Sequence, residues 1–186
     1  MIRAFISVDI SSEAKAALRI IVDELTTRIE GDNVRWIKSD NMHLTVKFLG
    51  NIEIDFVQSI LIAMRTSVVQ INPFQVALSQ IGAFPSFKRP RVIWVGVQGD
   101  LQTLGMVRNN IENELQNLEF PKERRPFRPH ITLGRVRGGD IHEGLDLSWA
   151  TSWKDVRWLV RDVNLIRSTL TPSGPVYTKL GSITLQ

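Results

Sequence analysis

The sequence predicts an α+β fold with antiparallel or mixed sheets. Three observations carry that expectation. Strand-like runs rich in β-branched and aromatic residues follow one another with only turns between them. Three longer stretches place apolar residues at helical spacing. The two kinds of segment do not alternate one for one, as a doubly wound parallel sheet would require.

Residues 3–9 read as a strand. Ser11 and Ser12 offer an N-cap for a helix over about 13–29, whose inner face is marked by Leu18, Ile21, Val22, Leu25 and Ile29. Gly31-Asp32-Asn33 breaks the chain. A short strand is expected over 34–37 and a clearer one over 43–49, ended by Gly50-Asn51. A second helix covers about 55–69, with Pro73 beyond it. Strands at 74–81 and 92–97 flank a loop that carries Pro85, Lys88, Arg89, Pro90 and Arg91. A third helix covers about 101–118. A basic, proline-marked stretch from Pro121 to Pro129 then leads into a strand over 130–136. Gly138-Gly139-Asp140 closes that strand, and an irregular stretch runs on to about 152. Two last strands, about 156–170 and 176–185, are turned by Thr171-Pro-Ser-Gly-Pro175. No Pro- or Ser-rich linker divides the chain, so residues 1–186 are expected to form one domain, with at most a loose two-lobe division near 85–91.

Composition narrows the function classes. Of 186 residues 43% are hydrophobic, enough for a sizeable core. The net charge of +4 favours anionic partners such as nucleic acid or phosphorylated metabolites, though it is a weak signal alone. The absence of cysteine excludes disulfides, thiolate catalysis and Cys-ligated metal centres, and fits a cytoplasmic protein. Arg3, Ser7 and Asp9 interrupt the N-terminal apolar run, so it lacks the core of a signal peptide. No apolar stretch approaches the roughly 20 residues needed to span a bilayer.

The most informative feature is an internal echo. His43-Leu-Thr-Val46 and His130-Ile-Thr-Leu133 repeat one pattern, 87 residues apart, in a chain with three histidines. Side chains alternate faces along a strand. Each copy therefore presents a polar His–Thr pair on one face and two aliphatic residues to a core on the other. Two imidazoles suit phosphoester chemistry, because a histidine near its ordinary pKa of about 6.5 can act in either protonation state. One can take a proton from an attacking oxygen while the other gives one to the leaving oxygen. Threonine hydroxyls can donate to phosphate oxygens where charge builds up. The scheme needs no metal and no cofactor. A zinc site is the rival, but no further His or carboxylate cluster completes a ligand set of the usual size. His142, flanked by glycines, reads as a solvated residue.

These blocks resemble the bacterial and archaeal RNA 2′,3′-cyclic phosphodiesterases, also called 2′-5′ RNA ligases, of the 2H phosphoesterase superfamily. The resemblance spans nearly the whole chain. It rests on Arg3-Ala-Phe-Ile-Ser-Val-Asp9, His43-Leu-Thr-Val-Lys-Phe-Leu-Gly50, Phe127-Arg-Pro-His-Ile-Thr-Leu-Gly-Arg135 and Leu165-Ile-Arg-Ser-Thr-Leu170, with Gly174 and Tyr177. It implies two similar lobes related by a pseudo-twofold around a central cleft, with helices outside. It implies hydrolysis of RNA 2′,3′-cyclic phosphate ends to 2′-phosphomonoesters, with reversible 2′-5′ ligation as the reverse reaction. In that scheme His43 is the proton donor, His130 the proton acceptor, and Thr45 and Thr132 bind phosphate. An arginine after the second motif points to Arg135 as a further phosphate ligand. Strict parity puts Arg135 on the face opposite His130, and a bulge at Gly134 would re-aim it. Lys47 has the parity of His43, or is simply a solvated charge.

The expected partner is RNA carrying a 2′,3′-cyclic phosphate or 2′-5′ linkage, or a nucleotide, bound by a monomer away from any membrane. Single-stranded ends are held by stacking and positive charge. Phe84, with the loop to Arg91, and Phe127, with Lys122 to Arg128, are the candidate contacts. Phe48 lies opposite His43 by parity and is expected in the core. Trp36, Trp94, Trp149, Trp153 and Trp158 are read as packing residues. Three alternatives stay open: another cyclic phosphate or a 2′-5′ oligonucleotide as substrate, a non-catalytic nucleotide-binding module, and a metal-dependent phosphatase.

Overall fold

A computed structural model of the chain describes residues 1–29, 33–137, 155–172 and 174–186. Among these, the order is β1 (Ile2–Val8), α1 (Ser12–Arg28), β2 (Val34–Trp36), β3 (Leu44–Ile52), α2 (Phe56–Ser67), β4 (Phe74–Phe84), β5 (Val92–Gly99), α3 (Leu101–Gln116), β6 (His130–Val136), β7 (Arg157–Val160), β8 (Asp162–Thr171) and β9 (Gly174–Thr184). The expected His142, Trp149 and Trp153 readings fall outside the described residues.

Local chemistry explains most boundaries. Ser11 caps α1 by accepting from the Ala14 N–H at 3.1 Å. Asp100 does the same for α3, accepting from Thr103 N–H at 2.9 Å. Ala14, Leu18, Ile21 and Leu25 of α1, and Leu104, Val107, Ile111 and Leu115 of α3, are buried against the sheet. Each large one contributes about 1.5–3 kcal/mol by leaving water. The second helix lies against α3, where the Asn110 side-chain amide donates to the Ser67 carbonyl at 3.0 Å.

Two expectations are corrected. Gly50-Asn51 does not end β3. Gly50 takes a φ of +74°, which glycine tolerates, and pairing continues to Ile52. The single strand expected over 156–170 is two. It breaks at Arg161, and β7 joins β4 while β8 joins β1.

The strands form one sheet in the order β7-β4-β5-β6-β3-β1-β8-β9, with β2 added beside β6. Every described pair is antiparallel. The sheet has two halves. In one, β1 pairs β3 and β8; in the other, β5 pairs β6 and β4. A single Cα pair, Leu44 with Ile131, joins them. Those residues are equivalent positions of the two H-x-T-x copies, so a pseudo-twofold axis runs between them. The equivalence extends outward: Val8 faces Leu44 as Val95 faces Ile131, and Ser7 faces Thr45 as Trp94 faces Thr132.

The halves of the sheet are not the halves of the sequence. From the first half of the chain, β4 crosses to the β5–β6 side. From the end of the chain, β8 and β9 return to the β1–β3 side. Helices cover the sheet face to which Ile6, Val8, Leu44, Ile93, Val95 and Ile131 point, all fully buried. The opposite face carries both histidines.

Candidate active site

Both motifs obey the strand parity. Leu44, Val46, Ile131 and Leu133 are buried, while His43, Thr45, His130 and Thr132 are half-buried on the other face. His43 sits just ahead of β3, and His130 opens β6. Extending the Leu44–Ile131 register one residue each way sets His43 beside Thr132 and His130 beside Thr45. Each histidine thus faces the other copy's threonine across the axis. Among the described residues, no side chain or carbonyl holds either threonine hydroxyl.

The two imidazoles are held alike. His43 Nδ1 lies 2.8 Å from the Asn41 carbonyl, and His130 Nδ1 lies 2.6 Å from the Arg128 carbonyl. A carbonyl can only accept, so Nδ1–H donates in both and Nε2 is left to react. Aromatic rings brace each one. Phe5 stacks on His43 with centroids 4.6 Å apart, and Tyr177 meets it edge-on at 5.2 Å. Phe84 meets His130 edge-on at 5.1 Å, and Trp94 lies 5.8 Å away.

Burial pulls both histidines below the ordinary imidazole pKa, against the raising effect of the carbonyl bond. Their charged neighbours differ. The Asp9 carboxylate favours protonated His43, partly opposed by Lys15. The Arg135 guanidinium disfavours protonated His130.

A bulge in each motif strand re-aims the residues beyond the threonine. In β3 the register shifts after Thr45, so Val46 and Lys47 both turn to the core. In β6 it shifts after Thr132, so Leu133 and Gly134 do the same. The next residues, Phe48 and Arg135, therefore return to the histidine face. Arg135 is exposed, and its charge is felt at both His130 and Tyr177. Phe48 is a correction: it is 65% exposed, not core, and lies 6.2 Å from Phe5. Lys47 is the reverse correction, neither solvated nor beside His43. It is 6% exposed and donates to Glu112 of α3 and to the Pro121 carbonyl, both at 2.9 Å.

Phe84 and Trp94 lie against His130, and the Trp94 ring also packs over Gly82. Trp158 is buried. The structure does not bring Phe127 to either histidine. Phe127 packs against the core, and the Arg108 guanidinium covers its ring at 5.7 Å. Lys88, Arg89 and Arg91 are exposed on the β4–β5 loop. Tyr177 and Phe5 contribute to the site although the motifs do not name them. Their signal was indirect, since both lie in blocks that carry the family resemblance. No group of three or more histidine, carboxylate or thiol ligands occurs among the described residues. Among the described residues, no helix is long and apolar enough to cross a membrane.

A sheet that brings two H-x-T-x strands together on a twofold axis, with both histidines on one face and each Nδ1 tied to a carbonyl, has the architecture of a two-histidine phosphoesterase. The LigT-like phosphoesterase model matches the chain twice, over residues 8–94 and 95–177, one match for each motif, and the chain belongs to that family. An RNA 2′,3′-cyclic phosphodiesterase of Methanocaldococcus jannaschii is 32% identical over 178 residues, 94% of this chain and 96% of that protein. A solved structure from Thermus thermophilus superposes with a TM-score of 0.76 at 27% identity, covering 98% of this chain and 97% of the other. Escherichia coli LigT, solved with NADP+, has the same fold at a TM-score of 0.76 and 22% identity, covering 99% and 98%.

Proposed function

We propose that this chain hydrolyses the 2′,3′-cyclic phosphate at an RNA end to a 2′-phosphomonoester. The observation that supports this reading is the pair of imidazoles on adjoining strands of one sheet face, each with Nδ1 tied to a backbone carbonyl and Nε2 left as the reacting nitrogen. Relatives named as RNA 2′,3′-cyclic phosphodiesterases support the substrate.

In this reading neutral His130 takes a proton from water as its oxygen bonds to phosphorus. The P–O3′ bond breaks, and protonated His43 gives its proton to the departing 3′ oxygen. Thr45, Thr132 and Arg135 hold the phosphate oxygens as negative charge grows. The charged neighbours support this direction, since Asp9 favours the acid at His43 and Arg135 favours the base at His130. An arriving phosphate anion raises the pKa of both imidazoles by favouring their protonated form, which counters their burial. With a 5′-hydroxyl in place of water, the same groups in the same roles form a 2′-5′ linkage as the P–O3′ bond breaks.

The scheme uses no metal ion or cofactor. Residues 1–186 act as one unit, because each half of the sheet carries only one of the two histidines. We take the working form to be a cytoplasmic monomer. The lack of cysteine suits a reducing compartment, and one chain supplies both imidazoles.

The test is product analysis on an RNA oligonucleotide ending in a 2′,3′-cyclic phosphate, with EDTA present. A 2′-phosphate product is expected. A 3′-phosphate product, no turnover, or turnover restored only by added zinc or manganese overturns the reading.

A further inference from the structure

The cleft holds more positive charge than one phosphate requires. In the β2–β6 pair, Arg35 lies directly opposite Arg135. Directly opposed residues of an antiparallel pair project to the same face, and like charges placed so repel. The face is that of the histidines. Val34 and Trp36, flanking Arg35, turn the other way and crowd Gly134, where an added Cβ would stand 2.7 and 2.8 Å from them.

The Arg35 guanidinium reaches across to the β8–β9 hairpin. An added Cβ at Gly174 would stand 2.8 Å from its terminal nitrogen. Tyr177, three residues along β9, feels both Arg135 and Arg3. Among the described residues, no carboxylate pairs with Arg3, Arg35 or Arg135. The fold therefore sustains a repulsive arginine pair with its fork-shaped donors open, the arrangement that suits bidentate capture of a phosphate.

Arg35 is displaced from the reacting centre, one strand beyond Arg135 in the β2–β6 pair. Arg135 lies beyond Thr132 by two regular strand steps, the bulged residue adding little length, or about 7 Å along β6. That is comparable to the spacing of neighbouring phosphates in a single strand.

We propose that Arg35, opposed to Arg135, holds the phosphodiester that precedes the reacting cyclic phosphate, so that the protein selects an oligonucleotide end over a free cyclic mononucleotide. This rests on the hydrolase reading above and adds a second phosphate subsite to it.

The probes are a tetraribonucleotide ending in a 2′-phosphate and a nucleoside 2′-phosphate, compared by fluorescence anisotropy and competition. Wild-type protein is expected to bind the tetranucleotide at least about tenfold tighter. Arg35→Gln weakens the tetranucleotide about tenfold and the mononucleotide by no more than about twofold. It also flattens the slope of log Kd against log salt by about 0.7, the amount for one lost phosphate contact on a single strand. Arg35→Lys keeps the charge and the salt slope while losing part of the affinity. Equal weakening of both ligands, no weakening of the tetranucleotide, or an unchanged salt slope in Arg35→Gln overturns the subsite. Failure of the hydrolase reading looks different, because wild-type protein then leaves the cyclic phosphate intact whatever these affinities are.

Discussion

The His43 side and the His130 side of the cleft have the same backbone plan but different furniture. Under Thr45 lie Ser7 and Asn164, buried polar side chains with no partner among the described residues. Under Thr132, the equivalent positions are Trp94 and Gly82, with the tryptophan ring lying over the glycine. After the bulge, one side presents Phe48 and the other Arg135. In the position between, β3 buries Lys47 where β6 has Gly134. Gly134 leaves room for β2 to pair alongside. Lys47 instead reaches the proline-marked stretch, which cannot form a regular ladder. The twofold supplies two interchangeable proton carriers, and the side chains next to them remove the interchangeability. The His43 side gains an exposed ring, Phe48, and has the Asp9 carboxylate nearby. The other becomes cationic.

The largest expected effect tests the shared plan. His43→Ala and His130→Ala each lower kcat by about 10²–10⁴-fold with unchanged circular dichroism. Near-normal turnover in either variant would break the equivalence of the two sides.

The next tests the buried tether that exists only on the His43 side. Glu112→Gln removes the counter-charge of Lys47 between β3 and α3 and leaves it the Pro121 carbonyl. Urea denaturation should show a loss of about 3–5 kcal/mol, the range for one partner removed from a buried ion pair. A loss below about 1 kcal/mol, the surface range, would mean the pair is not the link between these elements.

A smaller effect tests the aromatic side. Phe48→Ala raises KM for an oligonucleotide substrate by an amount worth about 1–3 kcal/mol if a base stacks there. Stability should stay nearly unchanged, because the ring is exposed. A large loss of stability with normal KM would return Phe48 to a structural role.

The subtlest effect is in the pH profile. Burial lowers both imidazoles in the free protein, so each stays neutral down to a pH below about 6.5. Hydrolysis needs one protonated and one neutral ring. The bell for kcat/KM, which reports the free protein, should therefore peak on the acid side of 6.5. The bell for kcat should peak higher, because bound phosphate favours the protonated ring. Coincident optima would remove the phosphate from between the rings.

Much of this was legible in the residues, for identifiable reasons. The H-x-T-x echo, the Ser11 cap and the three helical faces are local patterns, and local patterns survive folding. The placement of Phe48 and Lys47 was not legible. Each bulge inserts one residue without a residue-type signature and inverts the parity of everything beyond it. Arg135 was the exception, because Gly134 flagged a place for the strand to yield. The switch at Arg161 left no pattern either, since both pieces read as strand and only the distant partners differ. Arg35 escaped notice for the same reason. Nothing in Val34-Arg-Trp36 announces that β6 will set another arginine opposite it. Sequence also could not place Phe127, whose aromatic character suits a core as well as a cleft.

The crossing of β4 in one direction and of β8 and β9 in the other has a mechanical outcome. A chain severed near residue 94 yields no self-sufficient pieces, because each fragment keeps a strand whose hydrogen-bonding neighbour left with the other. Those orphaned edges would be templates for aggregation. The crossings act as stitches between the two sides, because the covalent chain passes from one side to the other at each of them.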